Sequence, residues 1–591
     1  MAIRVARTAG FCMGVRRAMG IALQSAHRLT TGRDDSGVCT FGPLIHNPQV
    51  VALLEKKGIR SVSSAEQVRG DSVIIRAHGI PPETRNELKK AGTALIDATC
   101  PRVARVQSIV KKHAAQGYSV VIIGDPGHAE IVGLLGYANG RGHVVSSTED
   151  LKKLADGSAD IDPSRLCVVV QTTQDRARFE SLVARIRDKW PECVVFDTIC
   201  ESTQQRQAEV VDLAGQVDLM IIVGGKQSAN TRRLTELSAS TGTPSYQVET
   251  EDDLPVAEVR RAKEVGITAG ASTPNWLIRL VIDTVERIKE ESGDVPLPSR
   301  LFSKFMYLTT ASGVQPALGG AFLTYACCVV QGIPMRWEYP AIASTYIFSI
   351  IHLTFLAHRD AALYNEPARS RFYERHGGKM SIAGAVSAVA AVVLSGLLGL
   401  LPFLIVLFAV CAGAAYTRTI VPSRLFKGFK YRSLKDIPGS KDIFSAGAWA
   451  GITAFVPMLA SGARFGFASL AAIVFAGTIA FVRSVIFDVR HIQSDQIVGN
   501  ETIPLIAGKR ASKVMLGGLA LFLAVFLAVS ANYGAISSVG YYLTACVAYA
   551  CGYLYLYHER IIFQGVSFEA VVDMNFYVAG AVAALWSAYY G

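Results

Sequence analysis

Nine apolar stretches in succession constrain this chain more than any other feature. They fall at about 305–330, 337–357, 380–398, 401–417, 441–460, 465–487, 513–531, 537–557 and 568–590. Each approaches the ~20 residues that carry a helix across a bilayer. A buried soluble helix could account for one or two of them, but not for nine. Residues 305–591 are therefore expected to form an all-α bundle of nine transmembrane helices, whereas residues 1 to about 300 have ordinary globular composition.

The formal net charge of +11 belongs to the loops of the apolar half. Arg359, Arg369, Arg371, Arg375, Arg418, Arg424, Lys427, Lys430, Arg432, Lys435, Arg490, Lys509, Arg510 and Arg560 lie after the even-numbered spans. The opposite loops hold little beyond Arg336 and Arg464. Met-Ala-Ile-Arg-Val-Ala-Arg has no apolar core of signal-peptide length, so the first half is expected in the cytoplasm. The positive-inside rule then puts those basic loops on the same side and the C-terminus outside the inner (cytoplasmic) membrane. No nucleic-acid motif accompanies the charge, and no nucleic-acid partner is expected.

In the first half, β-branched runs at Val38–Phe41, Ser72–Arg76, Tyr118–Ile123, Leu166–Val170, Asp218–Val223 and Glu264–Thr268 alternate with helix-like segments such as Val103–Ala115 and Arg176–Lys189. Such alternation reads as α/β layers. Cys12, Cys100 and Cys200 stand at the ends of the modules, which predicts three lobes, about 13–97, 98–195 and 196–290, each giving one cysteine to a shared centre. A polar, Pro-containing linker is expected over 291–304. None of the three forms a Cys-x-x-Cys pair, so a zinc ribbon is disfavoured. Three thiolates from separate lobes suit an iron–sulfur cluster with one iron open to substrate. Cys39, Cys167 and Cys193, on or beside predicted strands, read as ordinary buried cysteines.

Gly124-Asp-Pro-Gly-His-Ala-Glu-Ile-Val-Gly133 lifts His128 and Glu130 over the carboxyl end of a buried strand, where open α/β sheets bind ligands. His46 and His78 stand in comparable strand-end loops. Gly224-Gly-Lys-Gln-Ser-Ala-Asn230 and Thr268-Ala-Gly-Ala-Ser-Thr-Pro274 aim backbone amides, Ser228, Asn230 and Ser272 at a phosphate-sized anion.

In order, Phe-Cys-x-Gly-Val, His-Asn, Ala-His-Gly, Asp-Ala-Thr-Cys-Pro, Gly-His-x-Glu, Gln-Thr-Thr, the Ser-x-Asn loop and Ala-Gly-Ala-Ser resemble the 4-hydroxy-3-methylbut-2-enyl diphosphate reductase (IspH or LytB) family over residues 1–290. The resemblance implies an α/β trefoil of three pseudo-symmetric lobes around a central 4Fe-4S cluster held by Cys12, Cys100 and Cys200. It implies that His46, His78, His128, Ser228, Asn230 and Ser272 hold the diphosphate, with the backbone amide of Ala229 standing where the family often has a second serine. Thr172 would meet the hydroxyl end of the substrate and Glu130 would deliver protons. No nucleotide or flavin fingerprint is present, so electrons are expected from a ferredoxin- or flavodoxin-type carrier.

Phe487-Asp-Val-Arg-His-Ile-Gln-Ser-Asp-Gln-Ile-Val-Gly-Asn-Glu-Thr-Ile-Pro504 places Asp488 and Asp495 two helical turns apart, on one face, where they can hold Mg²⁺ against a diphosphate. With the nine spans and a basic loop containing Tyr416 and Lys435, this resembles the UbiA superfamily of intramembrane prenyltransferases. That resemblance implies a prenyl group transferred from a polyprenyl diphosphate in the membrane lipid to an acceptor. Two departures stand out. His491 occupies a position where a further Asp is usual, and the first Asp motif reads as Thr354, His358 and Ala362 when anchored on Asn365, with Asp360 nearby. A catalytically silent lipid-binding anchor is the rival reading of this half.

Overall fold

The computed structural model describes residues 2–30, 37–68, 72–156, 161–292, 297–357, 366–416, 437, 439–498, 502–559 and 566–590. The chain divides into two units, Met1–Asp294 and Val295–Gly591.

The first unit holds twelve strands: β1 (Ala2–Val5), β2 (Val38–Phe41), β3 (Ile59–Val62), β4 (Ser72–Ile75), β5 (Leu95–Asp97), β6 (Ser119–Ile123), β7 (Gly142–Val145), β8 (Leu166–Val170), β9 (Val194–Val195), β10 (Leu219–Val223), β11 (Ser245–Val248) and β12 (Glu264–Ala269). They build three four-stranded sheets in the orders β3-β2-β4-β5, β7-β6-β8-β9 and β11-β10-β12-β1. Every pairing is parallel. The three sheets are one design used three times, and the first strand of the chain closes the third. The predicted α/β trefoil is the observed fold.

The six strands expected from sequence are the inner pair of each sheet. β6, β8 and β10 are buried at every position, because helices cover both faces, and so they read as unbroken apolar runs. Helices form at Pro101–Ala115 and Arg176–Lys189, within two residues of expectation. The helix Asn275–Glu291 runs into the expected linker, and a second helix, Leu297–Ala311, occupies its last part. Pro298 lies in the first turn of that helix, where a missing N–H costs nothing.

The second unit is helical. Eight of its described helices are long and apolar enough to cross a membrane, and Leu400–Tyr416 is a shorter apolar helix. The expected span 305–330 is not continuous: it breaks between Ala311 and Val314, where Gly313 takes φ +73°. Another departure lies in Ser440–Ala460, where Gly451–Phe455 widens into a π turn ahead of Pro457. Beside this turn Gln331 Nε2 donates to the Ala454 carbonyl at 3.1 Å. Trp449 stacks on Phe576 with ring centroids 4.4 Å apart in the core of this unit.

Candidate active site

The threefold repetition of the sheets explains where the polar residues sit. Loops after the equivalent strands β2, β6 and β10 carry His46, His128 and Ser228. Loops after β4, β8 and β12 carry His78, Thr172 and Ser272. The strands β5, β9 and β1 lead to Cys100, Cys200 and Cys12, each of which immediately precedes a helix: Pro101–Ala115, Glu201–Ala214 and Met13–Thr30. Each cysteine is fixed by the same hydrogen bond. The backbone N–H of Cys12 donates to the carbonyl of Ala271 at 3.1 Å, that of Cys100 to Ala77 at 2.9 Å and that of Cys200 to Thr172 at 2.9 Å. Every thiol is thereby tied to the loop that carries a polar site residue.

The donor set fits an iron–sulfur cluster. All three thiols are free and part-exposed, and each sits at a helix N-terminus, where the peptide dipoles favour thiolate. They converge: burial pushes the Cys100 thiol up first, and the Cys12 and Cys200 sulfurs push it up further. Space is reserved beside them, because a Cβ added at Gly14 would fall 2.5 Å from the Cys100 Sγ. The Arg206 guanidinium, 3 % exposed, lies near Cys12 and Cys200 and donates to the carbonyls of Ala269 (2.7 Å) and Gly10 (2.9 Å).

His46, His78 and His128 form a tight group, with ring centroids 4.8, 5.7 and 5.4 Å apart. One ring nitrogen of each lies within 4.8 Å of the other two. Burial lowers all three below the usual imidazole value, and the Arg76 charge lowers each further, with His128 reaching about 4. An arginine whose field reaches every ring disfavours a bound cation and favours an anion. The His46 Nε2, His78 Nδ1 and Asn230 Nδ2 atoms are buried without a partner. Buried polar atoms left in this state mark a place where a ligand completes the hydrogen bonding.

Glu130 sits at the second position of the helix Ala129–Tyr137, capped by His128, whose Nδ1 accepts from the Glu130 N–H at 3.2 Å. The carboxyl group is 1 % exposed. Thr172 holds both of its oxygens, through N–H at 2.9 Å and Oγ1 at 2.8 Å. Burial raises it, the Thr172 hydrogen bonds oppose that, and the balance lies at about 7. A carboxyl at that value can give up a proton near neutrality.

Ser228 caps the helix Ala229–Ser240, accepting from the Thr231 N–H, so Ala229 and Asn230 stand in a first turn whose amides have no preceding carbonyl in the helix. The Ser272 hydroxyl donates to the His46 carbonyl at 3.2 Å, and a Cβ on Gly225 would meet the same carbonyl at 3.2 Å. The structure thus groups His46, His78 and His128 and brings the Ser272 and Gly225 loops of the third lobe onto the His46 carbonyl.

Sequence reading missed Arg233. Its guanidinium reaches from the third lobe to both oxygens of Asp125 at 3.1 Å and to the Thr173 carbonyl at 2.7 Å. It anchors the turn that carries His128 and Glu130. Nothing near it in sequence marks the role, because the pairing spans 108 residues. Arg233→Met should leave Asp125 uncompensated. Since Asp125 keeps some exposure, the low end of the range for breaking such pairs applies, about 2 kcal/mol. Hydrogen exchange should report it as faster exchange of amides 125–130, with the inner strands unchanged.

In the second unit, Asp488 and Asp495 both lie on the helix Phe467–Val498, 0 % and 1 % exposed. Asp488 is paired with Lys441, and Tyr416 OH is 2.8 Å from Ser440 Oγ. Thr354 falls near the end of Glu338–Ala357. His358, Asp360, Ala362, Asn365 and Lys435 lie outside the described residues. Sequence reading missed a further set of buried charges: Glu569 between Arg369 and Arg490, each at 3.1 Å, Asp573 paired with Arg483, and Asp442, which accepts from Ser484 Oγ at 2.6 Å.

Comparison with known proteins finds several that the chain is similar to. The family model described as LytB protein matches residues 3–286. A 4-hydroxy-3-methylbut-2-enyl diphosphate reductase of Clostridioides difficile is 37 % identical over 290 residues, which span 49 % of this chain and all of that protein. The protein of the same description from Aquifex aeolicus is 43 % identical over 292 residues, 49 % of this chain and 97 % of that protein. The solved structure of a UbiA homolog from Aeropyrum pernix is similar at 10 % identity and a TM-score of 0.37, covering 46 % of this chain and 98 % of that one. Through its N-terminal unit, the chain belongs to the LytB family of 4-hydroxy-3-methylbut-2-enyl diphosphate reductases.

Proposed function

We propose that the first unit reduces 4-hydroxy-3-methylbut-2-enyl diphosphate to isopentenyl and dimethylallyl diphosphate. The observation that carries the proposal is the buried Glu130 carboxyl, held by Thr172 beside a group of three imidazoles of which His46 and His78 each keep a buried, unpartnered nitrogen. Cys12, Cys100 and Cys200 would hold a 4Fe-4S cluster, which supplies electrons and a Lewis-acidic iron.

The residues divide the remaining work. His46, His78, His128, Ser228, Asn230, Ser272 and the amide of Ala229 hold the diphosphate. Thr172 orients the hydroxyl end and keeps Glu130 turned toward it. Glu130 gives a proton to the leaving hydroxyl, which departs as water when the C–O bond breaks. Two electrons enter from a ferredoxin- or flavodoxin-type carrier, and a second proton adds to either end of the allylic system. One substrate, two electrons and two protons thus become one product and one water.

For the second unit we infer prenyl transfer from a polyprenyl diphosphate within the membrane. Asp488 and Asp495 would face Mg²⁺, which neutralises the departing diphosphate. Support comes from the buried acidic pair at one end of a long apolar helix and from the apolar helices around it. In this reading the first unit and the basic loops face the cytoplasm and the C-terminus lies outside, in line with the positive-inside pattern.

The test uses the full chain, purified anaerobically in detergent. With reduced viologen it should release both five-carbon diphosphates; no release would refute the first reading. With Mg²⁺, a polyprenyl diphosphate and a panel of acceptors it should release diphosphate, and Asp488→Ala should abolish that release. The anchor reading requires no release from either form.

A further inference from the structure

The helices that follow Cys12, Cys100 and Cys200 start in one register. The N–H groups of Arg16, Ala104 and Gln204 donate to the carbonyls of their respective cysteines at 2.9, 2.9 and 3.1 Å. A half-turn further along stand Ala18, Val106 and Arg206. All three are buried, and the first two are apolar. The repeated design therefore fills this place twice without polar atoms, and the arginine answers something particular to the third helix.

What differs is the approach to each cysteine. Two residues separate β5 from Cys100 and four separate β9 from Cys200, whereas six separate β1 from Cys12. The helix Glu201–Ala214 holds that long approach along one side. Its Glu209 carboxylate accepts from the N–H groups of Arg7 and Thr8, the latter at 2.8 Å, and from the Thr8 hydroxyl at 2.6 Å. One turn earlier, Arg206 donates from Nη2 to the Gly10 carbonyl at 2.9 Å and from Nη1 to the Ala269 carbonyl at 2.7 Å. Gly10 stands just ahead of Cys12, and Ala269 just ahead of Ala271, whose carbonyl takes the Cys12 N–H. One planar fork, rooted in the helix that Cys200 opens, thus fixes both sides of the hydrogen bond that orients Cys12.

Two carbonyls satisfy the N–H groups of a guanidinium and leave its charge unanswered. Among the described residues Arg206 has no carboxylate partner, and Glu209 is engaged by Arg7 and Thr8. A lone cation in a buried setting is costly unless an anion lies near it. The groups that this fork positions are thiols. An iron–sulfur core carried on thiolates gains negative charge on reduction, and a neighbouring cation favours that state and raises the potential.

We propose that Arg206 is a positioning residue with two separable jobs: its fork holds the approach to Cys12 against the Cys200 helix, and its charge is the buried counter-ion that eases reduction of the site. The inference rests on the reading of the three cysteines as cluster ligands.

Arg206→Lys and Arg206→Met separate the jobs, because lysine keeps the charge and loses the planar fork, whereas methionine loses both. Both are compared with the parent as full chains purified anaerobically in detergent. Hydrogen exchange reads the clasp. Amides 10–12 should exchange about tenfold faster or more in both variants, with amides 219–223 unchanged. A potentiometric titration followed by EPR reads the charge. At a fixed potential Arg206→Met should hold about tenfold less reduced cluster than the parent, a midpoint lower by about 59 mV for one electron, and Arg206→Lys about as much as the parent. An arginine with a structural role alone would produce no such split between lysine and methionine.

Parent-like exchange of amides 10–12 in both variants, or a parent-like midpoint in Arg206→Met, overturns the inference. If Arg206→Met retains no iron, Arg206→Lys decides: iron loading restored by lysine supports the inference, and loss in both overturns it. Parent protein without iron overturns the cysteine reading and the counter-ion job with it, while the exchange result still supports or overturns the clasp. Parent protein with a full cluster and an unmoved Arg206→Met midpoint overturns this inference alone.

Discussion

Glu130→Gln is expected to lower reductase turnover about 10²- to 10⁴-fold, the span that general-acid groups contribute. Gln is close in size to Glu, its Oε1 can still accept from the Thr172 N–H and its amide can donate to the Thr172 hydroxyl oxygen, so fold and substrate binding should persist. What it cannot do is supply the proton. The effect should fall on kcat far more than on KM, because the lost interaction belongs to the transition state. The pH profile offers a second check with a definite sign. With its carboxyl at about 7, Glu130 is protonated below that value and ionised above it. Wild-type kcat/KM should therefore fall as pH rises through about 7, one decade per pH unit on the alkaline side, and Glu130→Gln should lose that limb. A profile unchanged by the substitution would remove Glu130 from the proton path.

His46→Asn/His128→Asn should raise KM about 100-fold, with a smaller effect on kcat. Each imidazole can offer a charge-assisted hydrogen bond to a diphosphate oxygen, an interaction of about 1.5–3 kcal/mol. In the free protein the group is held neutral by burial, by mutual proximity and by Arg76. A bound polyanion reverses that balance and raises the imidazoles. Substrate binding near pH 7 should consequently take up protons from solution, seen as binding heats that depend on the ionisation enthalpy of the buffer. The double variant should show little uptake. Buffer-independent heats in the wild type would mean that the imidazoles bind the diphosphate without changing charge.

The inner strands were legible because burial on both faces leaves one signal, a continuous β-branched run. The six strands that went unread are the outer members of each sheet. β3 alternates buried ends with exposed centres, β9 is two residues long, and β5 and β11 are half-buried, so their patterns match loops equally well. The site residues were legible for a related reason. Ligand-facing loops follow the inner strands, and their Gly, His and Ser are unusual enough to stand out. Arg233 and Asp442 were not legible, since each is defined by a partner that only tertiary structure brings near. The break at Gly313 escaped because hydropathy averages over a single glycine whose positive φ ends one helix and starts another.

The central claim is that the three lobes each deliver one thiol to a single cluster. Iron and acid-labile sulfide analysis of the anaerobically purified full chain, with Mössbauer spectroscopy, tests it most directly. About four iron and four sulfide per chain are expected, with one iron spectroscopically distinct for want of a cysteine ligand. Cys12→Ser, Cys100→Ser and Cys200→Ser should each deplete the cluster and abolish turnover, and Cys167→Ser, in the core of the second lobe, should do neither. Wild-type protein without iron, or a full cluster retained after loss of any one of the three thiols, would contradict the account.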